Sequence, residues 1–231
     1  MAPVPVLRYA LRMKLRHSAA MIVIALLCLA AGAACEHWRD HRAASETAFY
    51  VSRKWVSLDQ QADKAPRGIA LLIGDSITEN AWVPTLCGYP AFNAGISGAR
   101  VWNMIGPAKD LAMRIDPAVI VVALGTNDVR RRETPVARFA RDYEALLAPL
   151  AGRRLILVAV PPIHLRDAVS QNSVSRAIAR ENAAIARIAD AHRALFVAPP
   201  AAFPTVDGVH PTPAGSETWK AAIQTACTGR R

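Results

Sequence analysis

The sequence predicts a parallel α/β sheet covered by helices on both faces, and three observations carry that expectation. Short apolar runs alternate with longer segments of helical spacing from residue 69 to residue 227. The runs are apolar on both faces, as the strands of a covered parallel sheet are. Glycine and polar residues gather directly after several of them, where such sheets bind ligands.

Residues 69–73 form the first buried strand, ending at Gly74. Residues 91–94 form a weaker second strand that stops at Gly95. Residues 100–115 have helical spacing and end before Pro117. Residues 118–124 form the strongest strand, rich in β-branched side chains, and close at Gly125. A helix opens after Thr134, with Pro135 suited to its first turn, and runs to about residue 150. Residues 155–160 form a fourth strand, closed by Pro161 and Pro162. A long amphipathic helix covers residues 172–192, and residues 194–198 form the last strand. Thr212 and Pro213 open a final helix that reaches Cys227.

The 231 residues suffice for one catalytic domain with additions. The hydrophobic share of 52% has a local cause: residues 18–35 carry no charge, and residues 21–31 are almost wholly aliphatic. Arg8, Arg12, Lys14 and Arg16 precede this run, and no acid does. A basic flank before an apolar run reads as an export segment whose flank stays in the cytoplasm. Three outcomes stay open for residues 1–35. A signal anchor fits because the run approaches bilayer-spanning length. Cleavage within Ala31-Gly32-Ala33-Ala34 fits a signal peptide, and Cys35 fits a lipoprotein. Each places residues 36–231 outside the cytoplasm, anchored to a membrane or free in the periplasm or extracellular space. Residues 36–66 read as a stalk or lead-in helix, and residues 67–231 as the domain.

The formal net charge is +10, but Arg8, Arg12, Lys14 and Arg16 belong to the export flank. Arg130-Arg131-Arg132 is the densest later cluster and reads as a solvated loop. No basic stripe with interleaved aromatics exists, which argues against nucleic acid. Cys87 and Cys227 lie in the exported part. They pair if the fold brings them together, and otherwise stand as two buried thiols. No CxxC, HExxH or Cys/His cluster occurs, so no metal site is expected; His37 and His41 lack a third ligand.

The strand ends supply reaction chemistry. Gly74-Asp75-Ser76 follows the first strand, and Gly95-Ile96-Ser97-Gly98 the second. Gly125-Thr126-Asn127-Asp128 follows the third, and Asp207-Gly208-Val209-His210-Pro211 lies after the last. A serine hydroxyl attacks an acyl carbon only when a base takes its proton, and a carboxylate fixes the tautomer of a histidine base. Ser76, His210 and Asp207 fit those roles. Backbone N–H groups of Ser76 and Gly95, with the Asn127 side-chain amide, fit an oxyanion hole. Each motif alone reads as a turn or a cap; their order at successive strand ends favours the chemical reading.

Together these four blocks resemble the SGNH (GDSL-type) hydrolase family over most of residues 68–226. The resemblance implies a three-layer α/β/α fold with a five-stranded, flavodoxin-like sheet, no cofactor, and ester hydrolysis. It implies Ser76 as nucleophile, Gly95 and Asn127 as oxyanion donors, and Asp207 and His210 as acid and base. No Gly-x-Ser-x-Gly elbow is present, which argues against an ordinary α/β-hydrolase. Trp82, Trp102 and His164 follow strands closely enough to line a substrate site. The motifs do not separate the family's substrates. An esterase for short acyl groups such as acetyl, on envelope or extracellular glycans, is the leading expectation. A lysophospholipase or lipase, an acyltransferase to glycans, and a non-catalytic envelope binding protein are the alternatives.

Overall fold

The computed structural model describes residues 4–130 and 134–228. The chain divides into two compact units, Met1–Phe49 and Tyr50–Arg231. Helix α1 (Val4–Ala62) supplies the first and opens the second. Within the first unit Arg42 pairs with Glu46 one turn on at 2.9 Å and lies over the Trp38 ring. Among the described residues, no helix is long and apolar enough to cross a membrane. The expected export segment falls partly outside them, because residues 1–3 and the side chains of residues 4–20 are not included. Arg131 and Arg132 of the basic cluster also lie outside the described residues.

The second unit is built on six strands: β1 (Ala70–Gly74), β2 (Thr85–Leu86), β3 (Tyr89–Gly95), β4 (Val119–Ala123), β5 (Leu155–Val158) and β6 (Leu195–Val197). They lie in the order β2-β3-β1-β4-β5-β6, and every neighbouring pair is parallel except β2 with β3. The parallel strands are the five that the apolar runs predict, in flavodoxin-like order. The antiparallel β2 corrects the expected five strands to six. It exists because Cys87 and Gly88 take positive φ, 52° and 84°, and turn the chain so that Leu86 pairs with Tyr89. Positive φ at both central positions makes a tight hairpin whose twist matches its strands. A strand this short carries no periodicity, so the sequence does not announce it.

The helices are α2 (Ser76–Glu79), α3 (Ile105–Ile115), α4 (Thr126–Arg130), α5 (Val136–Leu147), α6 (Ala168–Ala191) and α7 (Pro213–Thr228). Helix α6 starts before residue 172 because Asp167 caps it, its Oδ1 accepting from Ser170 N at 2.8 Å. Alternate strand residues face opposite layers. Leu71, Ile73, Ile120, Val122 and Leu157 pack with α3, α5, α6 and with Leu58 and Ala62 of α1. Ala70, Leu72, Val121 and Ile156 pack with Ile77 of α2 and with Trp219 and Ile223 of α7. The end of the lead-in helix therefore belongs to the domain core. A disulfide joins Cys87 of the hairpin to Cys227 of α7, 140 positions apart. Cross-linking so long a loop restricts the unfolded chain.

Below the loop after β4, three buried polar groups lack partners: Asp128 Oδ1, Glu181 Oε2 and the Tyr143 hydroxyl. Burial pushes the Asp128 carboxyl up to about 7 and the Glu181 carboxyl up to about 9. Both hold protons in the fold that the unfolded chain releases, so their stability contribution is full near pH 4 and is lost as pH rises toward 9. Thermal unfolding followed from pH 5 to pH 9 will show a falling midpoint. Glu181→Gln will flatten the fall, adding on the order of 1–3 kcal/mol at pH 9 relative to the parent. A midpoint that rises over this range would contradict the protonated, buried acids.

Candidate active site

Ser76 opens α2 immediately after β1. The turn is tight: a Cβ at Gly74 would lie 1.9 Å from Thr78 Oγ1 and 2.9 Å from the Ala123 carbonyl, so only glycine fits. Asp75 caps the helix, its Oδ1 accepting from Ile77 N at 3.0 Å. Burial pushes the Asp75 carboxyl up to about 6, against the pull of the Ile77 N–H. As the first amide of the helix, the Ser76 N–H has no intrahelical acceptor.

His210 arrives from a loop 134 positions further on, with Nε2 3.0 Å from Ser76 Oγ. Its Nδ1 lies 2.7 Å from Asp207 Oδ2. A carboxylate at Nδ1 holds the proton there, leaving Nε2 to accept from the Ser76 hydroxyl. The other Asp207 oxygen accepts from Val209 N at 2.9 Å and His210 N at 2.8 Å. Hydrogen bonding to the His210 side chain, then to its backbone, holds Asp207 well below the usual carboxylate range. The same residue thus shapes the loop and orients the imidazole.

The loop is braced from outside. Val206 N donates to His210 O at 2.9 Å, and His164 N donates to Gly208 O at 2.7 Å. Gly208 has φ 89°, and a Cβ there would sit 1.9 Å from the His164 carbonyl. His164 acts here through its backbone, while its side chain is exposed. Asp167, the carboxylate closest to it in sequence, caps α6.

Asn127 is half-buried in α4 and donates from Nδ2 to Ala99 O at 3.0 Å. That bond ties the third block to the loop of the second and leaves one amide hydrogen over. Gly95 departs from its expected role, because its N–H donates to Asn93 Oδ1 at 2.9 Å and is not available to an oxyanion. Its lack of a side chain serves packing: a Cβ there would lie 2.2 Å from Glu79 N, so β3 rests directly on the backbone of α2. Trp82 and Trp102 are exposed, 78% and 50%. Two residues the motifs did not single out tie together the elements around Ser76. Asn93 Nδ2 donates to Thr78 O at 2.8 Å and Ala81 O at 3.1 Å, fastening the end of α2 to β3. Glu79 binds Ser97 on the facing loop. Their signal was placement within the first two blocks. Among the described residues, no group of three or more His, Cys, Asp or Glu could hold a metal ion.

A family model described as the GDSL-like Lipase/Acylhydrolase family matches residues 72–218. No curated protein matches the chain. Solved structures share its fold, three of them as follows. A Streptococcus pneumonia protein provisionally named for platelet activating factor is 20% identical, with 80% of this chain and 98% of that chain covered and a TM-score of 0.65. A GDSL-like lipase from Bacteroides thetaiotaomicron is 22% identical, with 75% and 96% covered and a TM-score of 0.61. A catalytic mutant of an acetylxylan esterase from Geobacillus stearothermophilus is 19% identical, with 72% and 96% covered and a TM-score of 0.55.

The Gly208 contact gives a direct check. Gly208→Ala forces the Asp207–His210 loop off His164, and kcat/KM on an activated ester will fall by about 10²-fold. His164→Ala keeps the backbone brace and will change kcat/KM little. The reverse ranking would make the His164 side chain the base.

Proposed function

The chain belongs to the GDSL-like lipase/acylhydrolase family and is an ester-bond hydrolase, and we propose that it removes short acyl groups, acetyl above all, from glycans outside the cytoplasm through an acyl-enzyme on Ser76. Ser76 Oγ attacks the acyl carbon as His210 Nε2 takes its proton. The ionised Asp207 carboxylate holds the imidazolium that forms. The oxyanion faces the Ser76 N–H, the free amide hydrogen of Asn127 and the Gly98 N–H. Gly98, at φ 79°, has no hydrogen bond of its own among the described residues and stands between Ser97 and Ala99, both of which are tied down. Each such donor contributes roughly 10²–10³ in rate. His210 then gives its proton to the departing alcohol, leaving the acyl ester on Ser76. Water, deprotonated by His210, attacks that ester, releases the acid and restores the serine.

The observation that carries the short-acyl reading is the shape around Ser76. The cavity behind the nucleophile, lined by Asp75, Ile77, Leu124 and Trp219 among others, is about 10 Å³. Ser76 does not itself line it, and with room for about one water it offers no tunnel for a long acyl chain on that side of the nucleophile. The rim, by contrast, is open, since half of the Asp207 side chain is exposed; Trp82 and Trp102, which follow the first two blocks in sequence, are exposed as well. Exposed indole faces suit stacking on sugar rings. An acetylxylan esterase on the same fold accords with acetyl transfer to water. A lysophospholipid is the second reading, favoured by the fold-mate named for platelet activating factor.

Location outside the cytoplasm is supported by the Cys87–Cys227 disulfide, since such bonds persist in oxidising compartments. The basic flank and apolar run before residue 36 support membrane association through the N-terminal segment.

Hydrolysis of p-nitrophenyl esters from acetyl to palmitoyl tests the proposal. The acetyl ester will be turned over fastest, and Ser76→Ala will lower kcat by at least about 10⁴-fold with the fold retained. A maximum at long chains would move the substrate to lipids.

A further inference from the structure

Glu79 closes the nucleophile helix, yet its carboxylate is built into two other elements. Oε1 accepts from the Tyr50 hydroxyl at 2.7 Å and lies 2.8 Å from Lys54 Nζ, both on the last part of α1. Oε2 accepts from the backbone N–H and from the hydroxyl of Ser97, each at 2.6 Å. The Glu79 side chain is only 12% exposed. A charge so far removed from water persists only where donors replace its hydration. Here one ammonium, two hydroxyls and one amide do so, and charge-assisted bonds of this kind are short and directional.

Ser97 is the residue whose carbonyl carbon is bonded to Gly98 N. Locking the Ser97 amide and hydroxyl fixes the Ile96–Ser97 peptide and the Ser97 side chain, and so anchors the residue from which the peptide carrying the Gly98 N–H departs. Glycine at φ 79° gives that segment little rigidity of its own. Asn127 holds the far side at Ala99, and Glu79 holds the near side.

We infer that Glu79 is a positioning residue for ester hydrolysis, anchoring Ser97, the residue that leads into the Gly98 N–H, against the nucleophile helix, and that Tyr50 and Lys54 make the seated end of α1 part of that device. The inference rests on the reading of Gly98 as an oxyanion donor. It gives the lead-in helix a role beyond spacing: loosening its last turns slackens the oxyanion loop.

The test uses the full chain and p-nitrophenyl acetate. Glu79→Gln will lower kcat by about tenfold to a hundredfold, with KM nearly unchanged and the thermal midpoint largely kept. Affinity for an arylboronic acid, whose tetrahedral adduct places an oxygen in the oxyanion position, will weaken by a similar factor. The double variant Tyr50→Phe/Lys54→Met, which keeps the apolar stems, will move kcat and boronate affinity in the same direction by a smaller factor. It also decides the matter should Glu79→Gln fail to fold. A lowered thermal midpoint with kcat and boronate affinity intact would overturn the inference, leaving Glu79 as a tether for α1. Turnover that survives Ser76→Ala would overturn the active-site reading itself, and the inference with it.

Discussion

The hydrogen bond between Ser76 Oγ and His210 Nε2, 3.0 Å long, joins residues 134 positions apart, and much of the fold serves that meeting. Parallel strands deliver their C-terminal ends to one edge of the sheet. β1 brings Ser76 there, β3 brings the Ser97–Gly98 loop, and β4 brings Asn127. The fourth contribution comes from beyond β6, where no strand fixes it. The chain fixes it instead by folding the 205–211 loop on itself and bracing it with the His164 backbone. Close approach is the recurring device. Gly74, Gly95 and Gly208 each stand where a methyl group would collide with a neighbouring backbone or side chain.

Carboxylates around the site show how environment assigns roles. Asp207 sits at an exposed rim, receives hydrogen bonds from His210 and Val209, and stays ionised. Asp75 is one residue from the nucleophile but buried, which pushes its carboxyl up to about 6 although the Ile77 N–H that it caps pulls the other way. Glu79 is nearly enclosed, and burial alone would raise it; the bonds from Lys54, Ser97 and Tyr50 outweigh that and lower it. Asp128 has one amide, Val101 N, on Oδ2, and Oδ1 of Asp128 and Oε2 of Glu181 have no partner, so burial wins and both carboxyls are raised. Three different balances of desolvation against donors thus separate orienter, scaffold and buried acid.

Much of this was legible in the sequence. The five parallel strands are short apolar runs, the second weaker than the rest, and burial on both faces of the central ones is a strong signal. Ser76 and Asn127 stand at strand ends, and Asp207 and His210 follow the last strand, in blocks whose joint order is specific. What escaped depends on tertiary detail. β2 is set by the backbone of Cys87 and Gly88, which alternation does not encode. The Cys87–Cys227 bond depended on whether the fold brought hairpin and α7 together. Gly95 reads in the sequence as an oxyanion glycine, whereas in the fold the Asn93 side chain occupies its amide. Asn93 and Glu79 read as ordinary polar residues, since their partners lie on other elements. The end of α1 read as a lead-in because its core-facing residues, Leu58 and Ala62, are sparse among polar ones.

The central claim is that one serine, activated by His210, carries the acyl group. The most direct measurement is intact-mass analysis followed by peptide mapping after treatment with a small alkyl phosphonofluoridate, which labels activated serines. The account predicts one adduct per chain, on Ser76, with labelling abolished in His210→Ala. An adduct on another serine, or full labelling without His210, would contradict it.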